Sequence, residues 1–136
     1  MQNPPPVQTA KSSTGLDENL AALLSYIFGW VSGLIFFLIE KDSRLVRFHA
    51  MQSLLFNLLV GVLAFALWIV LFVGFLIASQ ISGALTTLLS VLSLLIWLLL
   101  VVVILGGWVM CLVKAYQSQF FKLPVIGNFA EKFSAK

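Results

Sequence analysis

Charged residues vanish from two stretches of this chain. From Ser53 to Val113, 61 residues pass without an Asp, Glu, Lys, Arg or His, and the 21 from Asn19 to Ile39 do the same. A bilayer hydrocarbon core about 30 Å thick takes roughly 20 helical residues to cross. The shorter tract therefore predicts one span and the longer one two, divided at the polar break Ser79-Gln80-Ile81-Ser82-Gly83. Read without that break, the longer tract would be an apolar rod of about 90 Å. The predicted spans are 20–39, 53–78 and 87–113, and the fold class is all-α: a polytopic transmembrane helical bundle of three spans with cytoplasmic amphipathic segments. The second and third spans exceed the bilayer core, so tilt or extension into the interface is expected.

The flanks read differently. Residues 1–15, with Pro4-Pro5-Pro6 followed by Gln8, Thr9, Lys11, Ser12 and Ser13, carry too little apolar content to fold and predict a disordered tail. The first apolar stretch is too long for a signal-peptide core and ends at Glu40-Lys41-Asp42 instead of a small-residue cleavage site, which predicts a retained helix. Thr14 with Asp17 forms a weak capping pair at its start, and Asp42 or Ser43 can cap a helix that continues into the second span. The expected organisation is a tail over 1–15, a three-span membrane domain over 16–113 and a cytoplasmic amphipathic tail over 114–136.

Composition agrees: of 136 residues, 61% are apolar and 10% charged, far from a soluble domain. The formal charge of +3 is too small and scattered for a nucleic-acid surface, and its placement acts as an orientation signal. One Lys or Arg (Lys11) precedes the first span, three (Lys41, Arg44, Arg47) follow it, none lies in the second loop, and four (Lys114, Lys122, Lys132, Lys136) lie in the tail. With three spans this predicts a multi-pass cell-membrane protein with its C-terminus cytoplasmic and its N-terminus outside.

Candidate chemistry is sparse. Proton relays, ion pathways and voltage sensors use ionisable groups within the membrane, and the spans have none. The one histidine, His49, falls at the predicted cytoplasmic boundary, and Cys111 is the only cysteine, so no intrachain disulfide or cysteine metal site forms. No enzymatic activity, cofactor, metal, catalytic residue or small-molecule substrate is expected. Packing signals are clearer. Ala21, Ser25, Gly29 and Gly33 recur every four residues, which lets another helix approach closely, either from this chain or from a second copy. His49, Ser53, Asn57 and Gly61 form a stripe on the second helix, where Asn57 should lie near the depth of Gly33 and bond a backbone carbonyl, as interhelical glue or as a polar entrance.

The segment Glu40 to Gln52 holds most of the remaining information. Arg44, Arg47 and Met51 share one flank and Leu45, Phe48, His49 and Gln52 another, so the arginines reach phosphates while the phenylalanine enters the interface. Arg44, Arg47, Phe48, His49 and Gln52 are thus candidates for contact with a partner or with membrane lipid. In the tail, Ile126, Phe129, Ala130 and Phe133 fall on one helical face with Asn128 and Lys132 away from it, predicting a segment on the cytoplasmic leaflet or against the first loop.

Gly15-Leu16-Asp17-Glu18-Asn19, Gly29-Trp30-Val31-Ser32-Gly33-Leu34, Glu40-Lys41, Val46-Arg47-Phe48-His49-Ala50-Met51-Gln52-Ser53 and Lys122-Leu123-Pro124-Val125-Ile126-Gly127 together resemble the small bacterial and archaeal membrane proteins of the Tic20-like group. The resemblance implies a helical membrane protein distantly similar to a chloroplast import component, which is expected to have four spans. The expected function is a non-catalytic accessory or scaffold subunit that contacts partners or lipid through its loop and tail, as a homo-oligomer or within a membrane-protein complex. The alternative is a component of an oligomeric translocation or pore-like assembly, which would expose Ser53 and Asn57 to water.

Overall fold

The computed structural model describes residues 10–135 and shows, among them, five helices and no strand: α1 (Glu18–Ile27), α2 (Trp30–Ile39), α3 (Arg44–Ile81), α4 (Gly83–Tyr116) and α5 (Ile126–Ser134). The chain divides into two compact units, Leu58–Val109 and the combination of Met1–Asn57 with Met110–Lys136. Of the expected N-terminal tail, residues 1–9 lie outside the described residues, while residues 10–17 form a turn closed by a single bridge between Lys11 and Asp17.

In the Leu58–Val109 unit, α3 and α4 are joined at Ser82 and run antiparallel. A Cβ on Gly74 would meet the Leu89 side chain at 3.4 Å, and Val60, Leu63 and Leu67 face a shared apolar groove with Leu100 and Ile104. Ser82 makes the reversal possible in so little chain: its hydroxyl accepts the Leu85 N–H at 3.1 Å and caps α4. The helices hold 38 and 34 residues, about 57 and 51 Å long at 1.5 Å per residue. Both are long and apolar enough to cross a membrane, and their most apolar stretches are not covered by the rest of the chain. The predicted segments 53–78 and 87–113 lie inside them.

The first predicted span requires correction. Residues 20–39 are not one helix but two of ten residues each, about 15 Å apiece, broken at Phe28-Gly29 where Gly29 takes φ +60°. Neither half is long enough to cross a bilayer. The two fold back on each other: the end of α2 returns to the start of α1, where the Ser43 hydroxyl bonds Glu18 and Ser13 bonds Glu40. At the turn, the Ser32 hydroxyl accepts the Phe28 N–H at 3.1 Å and lies 3.0 Å from the Ser25 carbonyl oxygen. The Gly29 carbonyl accepts the Ser53 hydroxyl at 3.1 Å. The break thus finds partners for backbone groups that an apolar surrounding would leave unpaired.

The small-residue stripe lies where the hairpin meets α3. A Cβ on Gly33 would stand 2.9 Å from the Ala50 carbonyl oxygen and 3.1 Å from the Leu54 nitrogen, and one on Gly29 would stand 3.0 Å from Asn57 Oδ1. Asn57 is thus level with Gly29, not Gly33, because the chain turns at Gly29 instead of continuing across. Its amide donates to the Ser53 carbonyl at 2.8 Å. Ala21 and Ser25 are fully buried in the same unit. At the helix starts, Asp17 stands at the α1 N-cap with its carboxylate on Lys11 at 2.7 Å instead of on the helix, and the Ser43 hydroxyl accepts the Val46 N–H at 3.2 Å to cap α3.

Since the atoms facing Gly33 are backbone, Gly33→Ala should push α2 off α3 and cost about 1–3 kcal/mol. Gly61, with open space around it, should accept alanine with no loss. Thermal unfolding of the two variants in the same detergent checks the contrast, and equal melting temperatures would reject the close approach at Gly33.

Candidate functional site

Glu40 ends α2 and is fully buried, an expensive place for a carboxylate unless donors surround it. Its Oε1 accepts the N–H groups of Ser13 at 3.0 Å, Asp42 at 3.0 Å and Ser43 at 2.9 Å, and the Ser13 hydroxyl at 2.7 Å. Burial pushes the pKa up, but the N–H groups of Ser43 and Ser13, the Ser13 hydroxyl and the Asp42 N–H outweigh it and hold Glu40 below its ordinary value. This carboxylate fastens residues 13, 42 and 43 around the open end of the hairpin.

A second polar cluster ties the C-terminal tail to the hairpin and α3. His49 Nε2 lies 2.8 Å from the Gln119 carbonyl oxygen, which can only accept, so Nε2 donates. In the neutral ring Nδ1 then accepts the Tyr26 hydroxyl at 2.9 Å. Tyr26 in turn accepts from the Gln52 amide at 3.1 Å, which also donates to the Phe121 carbonyl at 2.9 Å, while Gln52 Oε1 accepts the Leu123 N–H at 3.1 Å. His49, Gln52 and Tyr26 are fully buried, and no described buried side-chain nitrogen or oxygen lacks a partner. Of the residues expected to contact a partner or lipid, Phe48, His49 and Gln52 therefore face inward, where Phe48 packs on His49 and Phe120 at ring separations of 5.1 and 5.4 Å.

Arg44 and Arg47 have a different setting. Arg44 is exposed, lies over the Phe120 ring at 5.9 Å and pairs with Glu131 at 3.8 Å. Lys122 bonds the same carboxylate at 2.5 Å, and that contact first, with the charge of Arg44 adding to it, holds Glu131 below its usual pKa. Arg47 stacks over Phe37 at 5.0 Å and donates to the carbonyls of Glu40 at 3.1 Å and Ser134 at 3.3 Å. With Lys41, Asp42, Ser134 and Ala135 the two arginines line a cavity of about 410 Å³. Tail helix α5 forms one wall, docked through Ile126, Ala130 and Ser134 and leaving Phe129 and Phe133 half exposed. The expected apolar face thus splits, because alanine and serine permit closer packing than phenylalanine. Among the described residues no group of three or more His, Cys, Asp or Glu could hold a metal ion.

A model of the magnetosome magnetite crystal formation protein family (MamF/MmsF) matches residues 14–130. The chain belongs to this family. It is also 35% identical over 125 residues to a UPF0132 membrane protein of Methanocaldococcus jannaschii, covering 91% of this chain and 94% of that protein. A UPF0132 membrane protein of Archaeoglobus fulgidus is 35% identical over 117 residues, 86% of this chain and 95% of its own length. No solved structure matches the chain. The relatives are membrane proteins by name, and two helices of this chain are long and apolar enough to span a bilayer. The matched range begins one residue after Ser13 and ends within α5, so it contains the Tyr26–His49–Gln52 cluster and all of the Glu40 cluster except Ser13.

Two outcomes follow from these clusters. Glu40 titrates lower folded than unfolded, so its contribution is complete above the ordinary value of 4.5 and is lost as pH falls through the lower folded value. Stability should therefore decline on acidification below about pH 4.5. Glu40→Gln should cost about 1–3 kcal/mol at neutral pH and flatten that decline, which melts recorded from pH 7 to pH 3 would detect. Gln52→Leu strands the Leu123 N–H and Phe121 carbonyl. It should cost about 2 kcal/mol and speed proteolysis within residues 117–125, read by mass spectrometry.

Proposed function

We propose that this protein is a non-catalytic, multi-pass protein of the cell membrane whose docked tail and α3 entry form a cytoplasmic basic face that contacts a partner or lipid headgroups. The observation that carries this reading is the fixed arrangement of Arg44, Arg47 and α5, held from behind by Glu40 and by the Tyr26–His49–Gln52 cluster. The buried groups that elsewhere perform chemistry are occupied in holding this face together. What remains outward is mostly cationic and aromatic, with Asp42 and Glu131 among the cations, a surface suited to recognition.

The proposed topology has two spans, within α3 and α4, and a re-entrant hairpin, α1–α2, that enters and leaves on one side. Lys11 then shares a side with Lys41, and with the chain after α4, so all eight Lys and Arg fall on the side that the positive-inside rule makes cytoplasmic. This replaces the expected placement of the N-terminus outside. The pore alternative needs Ser53 open to water, whereas Ser53 is fully buried and bonded to Gly29.

The test uses single cysteines at Lys11, Gln80 and Gln117 in a Cys111→Ala background, treated in intact cells with a membrane-impermeant thiol reagent. Labelling is expected at position 80 alone. Labelling at position 11 would restore three spans. A photo-crosslinker at Lys132 should form adducts in cells while one at Gln80 does not, and the reverse pattern would remove the contact role from the basic face.

A further inference from the structure

The cavity between the α2–α3 loop, the start of α3 and the end of α5 has properties that a general contact surface does not need. Its lining carries three cations, Lys41, Arg44 and Arg47, against one carboxylate, Asp42. Glu131, the other acid near Arg44, is bonded more closely by Lys122. Arg47 is held in place by Phe37 and two backbone carbonyls, and Arg44, exposed, leans over Phe120 beside it. Guanidinium forks oriented in advance suit the oxygens of a phosphate, since little rotamer freedom remains to be lost on binding. At about 410 Å³ the space lies in the range of small-ligand sites, about 300–1,000 Å³.

The walls indicate what carries the phosphate. Leu38 and Ile39, the last residues of α2 before Glu40, are exposed at 67% and 46%, and Phe133, just before Ser134, at 48%. Beside the lining residues Lys41 and Ser134 the chain thus changes from polar to uncovered apolar within one to three residues. A free anion or an acidic peptide would leave this apolar margin in water, whereas a molecule with a phosphate and hydrocarbon chains covers both parts. We propose that the cavity lined by Lys41, Arg44 and Arg47 binds the phosphodiester headgroup of an anionic phospholipid, with its acyl chains along Leu38, Ile39 and Phe133. The inference rests on the reading that the basic face lies at the cytoplasmic leaflet, and it names the ligand of that face.

The test titrates the full-length protein in neutral detergent with short-chain phosphatidylglycerol, short-chain phosphatidylcholine or inorganic phosphate and follows the melting temperature, which rises when a ligand binds the folded state. Phosphatidylglycerol should raise it in a saturable way, and phosphatidylcholine and phosphate should not at equal concentration. Lys41→Gln with Arg44→Gln should weaken the apparent affinity at least tenfold, while Lys132→Gln, outside the cavity, leaves it unchanged. Arg44→Lys, which keeps the charge but lacks the fork, should fall between them and serves should the double variant fail to fold. An equal response to phosphatidylcholine would overturn the site, a response to phosphate matching that to phosphatidylglycerol would reassign it to a free anion, and an Arg44→Lys protein with wild-type affinity would remove the role of the fork. Adducts at Lys132 together with a flat phosphatidylglycerol titration would sink the lipid site and leave the contact face standing.

Discussion

An apolar helix can be interrupted within an apolar surrounding only where the backbone groups released at the break find partners, since water is not there to supply them. The turn at Phe28-Gly29 meets that condition with two hydroxyls, Ser32 from within the hairpin and Ser53 from α3. Ser53 reaches Gly29 only if α2 lies almost in contact with α3, and Gly33 against Ala50 provides that approach. The same closeness brings Phe37 beneath Arg47 and returns the chain to the turn where it started. Hairpin shape, helix spacing and arginine placement thus share one origin.

The open end of the hairpin uses a different device. Four donors converge on one carboxylate oxygen of Glu40, which makes a buried charge tolerable and fixes the loop from α2 to α3 in one arrangement. The tail is fixed by side chains reading backbone: His49 and Gln52 engage the main chain of Gln119, Phe121 and Leu123. Hydrogen bonds of this kind are directional and satisfied in one register only. A purely apolar contact would hold α5 less specifically, because sliding a greasy face by one turn costs little.

Much of the long-helix architecture was legible in the pattern of charges. Sixty-one uncharged residues with one polar interruption leave few options other than two antiparallel helices, and α3 and α4 turn within that interruption. The hairpin was not legible by the same means, because average hydropathy is blind to a turn made without charge or proline. Its signal was present in Ser25, Gly29, Ser32 and Gly33, but a small residue at every fourth position is also what close helix packing requires, and here the residues serve both purposes. Phe48, His49 and Gln52 were grouped correctly on one flank of α3 but assigned outward contacts. Their partners belong largely to the backbone of residues 119–123, and main-chain groups leave no mark in a sequence. Glu40 marked the end of the first apolar stretch and gave no sign of its burial for a related reason, since three of its four donors to Oε1 are main-chain N–H groups.

The charge distribution gains its meaning from the hairpin. With a transmembrane first segment, Lys11 would oppose seven other cations; with a re-entrant one, the eight agree. The Leu58–Val109 unit presents aliphatic and aromatic side chains that any acyl chain satisfies, whereas Arg44 and Arg47 are placed by rings and carbonyls drawn from α2, the residue that follows it, the segment after α4 and the end of α5.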